Sequence, residues 1–142
     1  MTLVEHVMMT TPVVIEETAT VLEAAQRLQQ LGLRHLPVVA DNRLVGIISD
    51  RDLRGPMVGT AGTVPSTTTS VSAIMTRHVV TVHPTDSLGA AAKRLVEHRV
   101  GALLVVDQGG VLRGILSYVD ILARLGVEAE HDARAISLLD RD

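Results

Sequence analysis

The stretch Gly46-Ile47-Ile48-Ser49-Asp50-Arg51-Asp52-Leu53 returns 68 residues later as Gly114-Ile115-Leu116-Ser117-Tyr118-Val119-Asp120-Ile121. Each copy reads as a short buried strand running into a helix, with Ser where the helix starts and Asp three residues on. Working outward, residues 13–53 overlie 80–121 at an offset of 67 as far as Ala40/Asp107, and of 68 from Leu44/Leu112. The inserted residue falls where Asp41-Asn42-Arg43 faces Gln108-Gly109-Gly110. Both are turn sequences, and an insertion confined to a turn is what two copies of one supersecondary unit show.

Each copy has the same internal order. Val13-Val14-Ile15 and Val79-Val80-Thr81-Val82 are β-branched runs that predict strands. Thr20 with Glu23, and Ser87, predict capped helices with apolar faces on Val21, Ala24 or Ala25, Leu28 and Leu31 and on Leu88, Ala91 or Ala92 and Leu95. Gly32 ends the first helix and His98-Arg99 the second. The nearly continuous apolar runs Leu36-Pro37-Val38-Val39 and 44–48, matched by 102–106 and 111–116, predict buried strands. A second helix starts at Ser49 and at Ser117, the first cut short by Gly55-Pro56.

The predicted fold is thus α/β, with two β-α-β-β-α repeats over residues 1–56 and 73–126. A Gly/Pro/Ser/Thr-rich linker spans 57–72, and a charged tail with loosely helical spacing spans 127–142.

Composition narrows the function classes. A chain of 142 residues, 46% hydrophobic and 20% charged, can bury a proper core. Phe and Trp are absent and Tyr118 is the one aromatic, so a planar ligand is expected to lie between aliphatic groups. Cysteine is absent too, which removes disulfides, thiol nucleophiles and cysteine metal sites. The net charge of −3 comes from 13 basic and 16 acidic residues spread along the chain, with no basic patch or stacking platform for nucleic acid. No window approaches the roughly 18 apolar residues of a membrane span, and Met1 to Met9 lacks the pattern of a signal peptide. The expectation is a cytoplasmic protein without a membrane partner. There is no Gly-x-Ser-x-Gly elbow, no phosphate-cradling loop and no ligand-spaced histidine cluster, so neither catalysis nor a metal site is expected.

Several features recur in order in both halves: Met9-Thr10 and Met75-Thr76 ahead of the first strands, and Gly-Ile-Ile/Leu-Ser-x-x-Asp ahead of the last helices. With Leu36-Pro37-Val38-Val39 and Val80-Thr81-Val82-His83-Pro84, they make residues 8–125 resemble a tandem pair of CBS domains. The resemblance implies repeats packed through their sheets with pseudo-twofold symmetry into a Bateman-type module, often a homodimer. It also implies a regulatory adenosine-containing ligand in the cleft between repeats: AMP, ADP or ATP first, S-adenosylmethionine or NAD next, with no cofactor required. By the same resemblance Asp52 and Asp120 bind ribose hydroxyls, and Ser49 and Ser117 face phosphate. Backbone around Thr11 and Val13, and around His78 and Val80, holds the adenine edge. Basic groups for phosphate are Arg34, His35 and Arg99. They are asymmetric, because Arg34-His35 aligns with Gly101-Ala102.

The residues themselves leave two readings open. A Ser at the N-cap and an Asp in the first turn complete a helix start and need no ligand. The same helix end offers N–H groups to an anion, and a carboxylate accepts two hydroxyl protons from a diol. The first expectation is therefore an adenosine sensor signalling through dimer conformation to a partner protein. The alternative is a ligand-free dimerisation or interaction module.

Overall fold

The computed structural model describes residues 1–54 and 67–129. The strands are β1 (Met9–Thr10), β2 (Ile15–Glu16), β3 (His35–Ala40), β4 (Arg43–Ser49), β5 (Thr81–Val82), β6 (Ala102–Val106) and β7 (Leu112–Ser117). The α-helices are α1 (Val21–Leu31), α2 (Leu88–His98) and α3 (Tyr118–Ala129). Two compact units result. The first-repeat unit holds Thr11–Val79 and Val106–Leu112; the second-repeat unit holds Met1–Thr10, Val80–Val105 and the chain from Arg113.

In the first-repeat unit the sheet order is β2-β3-β4, with β2 parallel and β4 antiparallel to β3. Asp41 and Asn42 both take positive φ, 52° and 66°, between β3 and β4. That two-residue turn matches the twist of a hairpin, and Asp and Asn tolerate the left-handed region better than other side chains. Leu36, Pro37, Val38 and Val39 are all buried, as a strand covered on both faces requires. Against them α1 places Ala24 and Leu28, joined in one core by Ile15, Ile48, Val71 and Met75. Burial of a side chain such as Leu28 contributes roughly 1.5–3 kcal/mol.

The second-repeat unit has the sheet order β1-β7-β6-β5. Its core joins Val4, Val82, Leu88, Ala91, Leu95, Leu103, Val105, Leu116 and Ile121. Thr20 Oγ1 accepts the Glu23 N–H at the start of α1, and Ser87 Oγ accepts the Ala90 N–H at the start of α2, both at 3.1 Å. Gly32 closes α1 in the left-handed conformation and Arg99 closes α2 in the same one. For Arg99 the conformation costs roughly 1–2 kcal/mol, because its Cβ crowds the backbone.

Two local expectations are corrected. The first strand of each repeat ladders over two residues, and upstream the Val14 carbonyl accepts from Arg27 Nη1 at 2.7 Å instead of entering the sheet. After Ser49 the described chain makes a turn and a 3-10 helix, Asp52–Arg54, where an α-helix was expected. The linker from Gly55 to Ser66 and the tail beyond Ala129 lie outside the described residues. The leaders do not pack with the repeats that follow them. Val4–His6 forms a 3-10 turn in the second-repeat unit, with Val4 N–H donating to Asp86 O at 2.9 Å. Val71–Ala73 does the same in the first-repeat unit, with Val71 N–H donating to Ala19 O at 2.8 Å.

Candidate functional site

Each unit ends a buried strand on a serine. Ile48 and Leu116 are fully enclosed, and alternation along the strand leaves the next residue, Ser49 or Ser117, half-buried at the rim. Ser49 N–H donates to Asp52 Oδ2 at 2.9 Å, and Asp52 N–H donates back to Ser49 Oγ at 3.1 Å. Ser117 and Asp120 repeat the pattern at 3.0 and 3.2 Å. The second pair caps α3, whereas the first precedes a turn and a 3-10 helix; the reciprocal bonding pattern is common to both. It leaves chemistry over: Oδ2 uses one lone pair, and Oδ1 of each half-buried carboxylate takes no hydrogen bond among the described residues. The box fixes the carboxylate's orientation and leaves acceptor capacity for a second partner.

Strand register decides which side chains join each box. His35 is the Cα partner of Ser49 across the β3–β4 ladder, and Asp50 N–H donates to Arg34 O at 3.0 Å. His35, which starts β3, and Arg34 just before it, both exposed, therefore lie beside Ser49 and Asp50. In the other unit Tyr118 N–H donates to Gly101 O at 3.0 Å, the equivalent bond with different residues. A Cβ on Gly101 would touch the Tyr118 ring at 3.7 Å, so the ring lies against that glycine. Tyr118 is 55% exposed and was not among the sequence candidates. The signal was present, since the chain's one aromatic stands where the first copy has Asp50. Its position also qualifies the expectation that a planar ligand meets aliphatic groups alone.

Arg99 is exposed at the end of α2, two residues before Gly101, where the first unit has Gly32. Among the adenine-edge candidates, Thr11 is exposed and takes φ 49°. A β-branched residue ahead of proline rarely adopts that conformation, which marks the backbone there as strained. Val13 is exposed in the same unit. His78 is exposed and belongs to the first-repeat unit, whereas Val80 is half-buried and belongs to the second, its carbonyl accepting from Leu104 N–H at 3.4 Å.

Two α/β units that end a buried strand on the same Ser-x-x-Asp box define a duplicated module with one non-identical box in each half. The family model for the CBS domain matches residues 4–59 and 71–127, and the chain belongs to the CBS-domain family. It is 38% identical over 117 residues to a homoserine O-acetyltransferase of Methanosphaerula palustris, covering 82% of this chain and 22% of that enzyme. The chain thus spans about a fifth of the length of the curated relative. The CBS domain pair of protein MJ0100, solved with 5′-methylthioadenosine and S-adenosyl-L-methionine, is similar at TM-score 0.72 and 26% identity over 89% of this chain and 98% of that one. CBSX2 of Arabidopsis thaliana in complex with AMP is similar at TM-score 0.74 and 27% identity over 90% and 99%. Among the described residues no helix is long and apolar enough to cross a membrane.

Proposed function

We propose that the chain is a regulatory CBS pair that binds an adenosine-containing ligand at its two Ser-x-x-Asp boxes. AMP, ADP and ATP come first, S-adenosylmethionine and NAD second. The carrying observation is the pair of half-buried carboxylates, each oriented by its serine and each with an acceptor oxygen to spare. A ribose diol supplies the two donors such a group takes, in charge-assisted bonds about twice as strong as neutral ones. Ser49 and Ser117 face the phosphate side, Arg34, His35 and Arg99 are its cationic candidates, and the backbone at Thr11, Val13, His78 and Val80 serves the adenine edge. The ligands of the MJ0100 pair and of CBSX2 support the adenosine class. The role proposed is regulatory, in keeping with the CBS-pair likeness. Regulation requires that the ligand bind two states unequally, in a cytoplasmic homodimer read by a partner protein.

Thermal unfolding with AMP, ADP, ATP, S-adenosylmethionine and NAD tests this reading. A ligand present at a hundred times its Kd adds about 2.7 kcal/mol of stability. The informative variant is Asp52→Asn with Asp120→Asn. Alanine would strand the Ser49 and Ser117 N–H groups and cost about 1 kcal/mol apiece without ligand, whereas Asn keeps the capping oxygen. The double variant is expected to melt close to wild type alone and to lose the ligand-induced rise. Retention of the full rise would refute the ribose assignment. A wild-type protein stabilised by none of the five would favour the ligand-free interaction module.

A further inference from the structure

The two boxes differ at positions that the backbone fixes. Arg34 and His35 lie at the start of β3 beside Ser49 and Asp50, Arg34 one residue ahead of the strand, and Asp50 and Arg51 follow that serine. The same four places in the second-repeat unit hold Gly101, Ala102, Tyr118 and Val119. With its aspartate included and His35 uncharged, the first set is formally neutral, while the second carries one net negative charge from Asp120. A phosphate monoester brings a charge of about −1.5 to −2 at pH 7. Beside Arg34 it finds a planar donor fork suited to phosphate. Beside Asp120 and Val119 it finds no compensating charge at those positions, and an unpaired anion removed from water is costly. What the second set offers instead is the Tyr118 ring, lying against Gly101 with more than half its surface open. Such a ring gives an apolar face and one neutral hydroxyl.

Resting on the adenosine reading above, we infer that the two seats select different 5′ chemistry. The Ser49/Asp52 seat takes adenosine with an anionic 5′ group, through Arg34 and His35. The Ser117/Asp120 seat takes adenosine with an uncharged 5′ group, and Tyr118 is its specificity-determining residue.

AMP and adenosine, which differ by the phosphate alone, are the probes, and calorimetric titration of the full chain is the readout. Asp120→Asn leaves the first seat working, and Asp52→Asn leaves the second. The AMP-to-adenosine preference is expected to be at least about tenfold greater in Asp120→Asn than in Asp52→Asn, a 1.4 kcal/mol difference. In the Asp120→Asn background, Arg34→Gly weakens AMP and spares adenosine. In the Asp52→Asn background, Tyr118→Ala weakens adenosine more than AMP, and Gly101→Arg with Tyr118→Asp moves the preference towards AMP. Equal preferences in the two single variants overturn the inference while leaving adenosine binding intact. It is also overturned if Arg99→Gly weakens AMP at the second seat as much as Arg34→Gly does at the first, since that seat would then hold phosphate through Arg99. If neither probe binds the wild-type chain, the adenosine reading falls and the inference with it.

Discussion

Gly46 and Gly114 show at the scale of one residue how close the leaders lie to the last strands. A Cβ on Gly46 would sit 2.7 Å from Met75 Sδ and 2.8 Å from Thr76 O; on Gly114 it would sit 2.7 Å from Met9 O and 2.8 Å from Met8 Sδ. Methionine side chains yield, but the carbonyls are held: Ile47 N–H donates to Thr76 O at 2.9 Å, and β1 pairs with β7 at Thr10 and Gly114. Alanine at either glycine is therefore expected to cost about 1–3 kcal/mol, as overpacking does. Urea unfolding would show it as a lower midpoint at unchanged slope, and an unmoved midpoint would mean that the leader backs away freely. Both glycines were legible as repeated letters, but their reason was not, because nothing local says which backbone crosses them. The Ser-x-x-Asp pairs were legible as local caps, since such bonds are made within four residues, but the return bond from each Ser N–H to its Asp and the 3-10 turn after Ser49 were not. Tyr118 was legible as an oddity, and its place against Gly101 emerged only once the strand and helix start were set side by side.

At the scale of elements, the same box opens two different structures. Ser117 and Asp120 start α3, a helix of 12 residues, while after Ser49 the described chain offers one 3-10 turn ahead of Gly55-Pro56. Along α3, Tyr118, Val119, Leu122 and Leu125 are each at least 42% exposed, with Ile121 turned into the core. Beyond the Tyr118 seat, Leu122 and Leu125 leave an apolar strip open on α3, and that strip is where the proposed homodimer is tested. Leu122→Lys is expected to lower self-association in sedimentation equilibrium while leaving unfolding free energy per protomer within about 0.5 kcal/mol, as a surface change does. Unchanged association would place the dimer surface elsewhere. The sequence showed that α3 is apolar, but apolarity reads as core until the structure shows which side is covered.

For the whole molecule, the order of repeats in the sequence is not the order of packing. Residues 1–10 open the first repeat in the sequence yet complete the second-repeat unit. Val4 is wholly buried there, Leu88 N–H donates to Thr2 O at 2.9 Å, Glu5 N–H donates to Pro84 O at 2.9 Å, and β1 adds an edge strand to β7. Periodicity could not reveal this, because an offset matches copies to each other and is silent on the unit each segment joins. The consequence is a stability that is divided unevenly along the chain. Deletion of residues 1–10 removes a buried valine, roughly 1.5–3 kcal/mol by transfer alone, and opens one edge of a four-stranded sheet. The loss belongs to the second-repeat unit, whereas the first-repeat unit keeps its own leader turn at Val71. Amide hydrogen exchange is then expected to accelerate at Leu88 and along β7 while the β3–β4 hairpin keeps its protection, as it would for units that open separately. Equal loss of protection in both units would instead show that they unfold as one cooperative block, with the leader contributing to the whole.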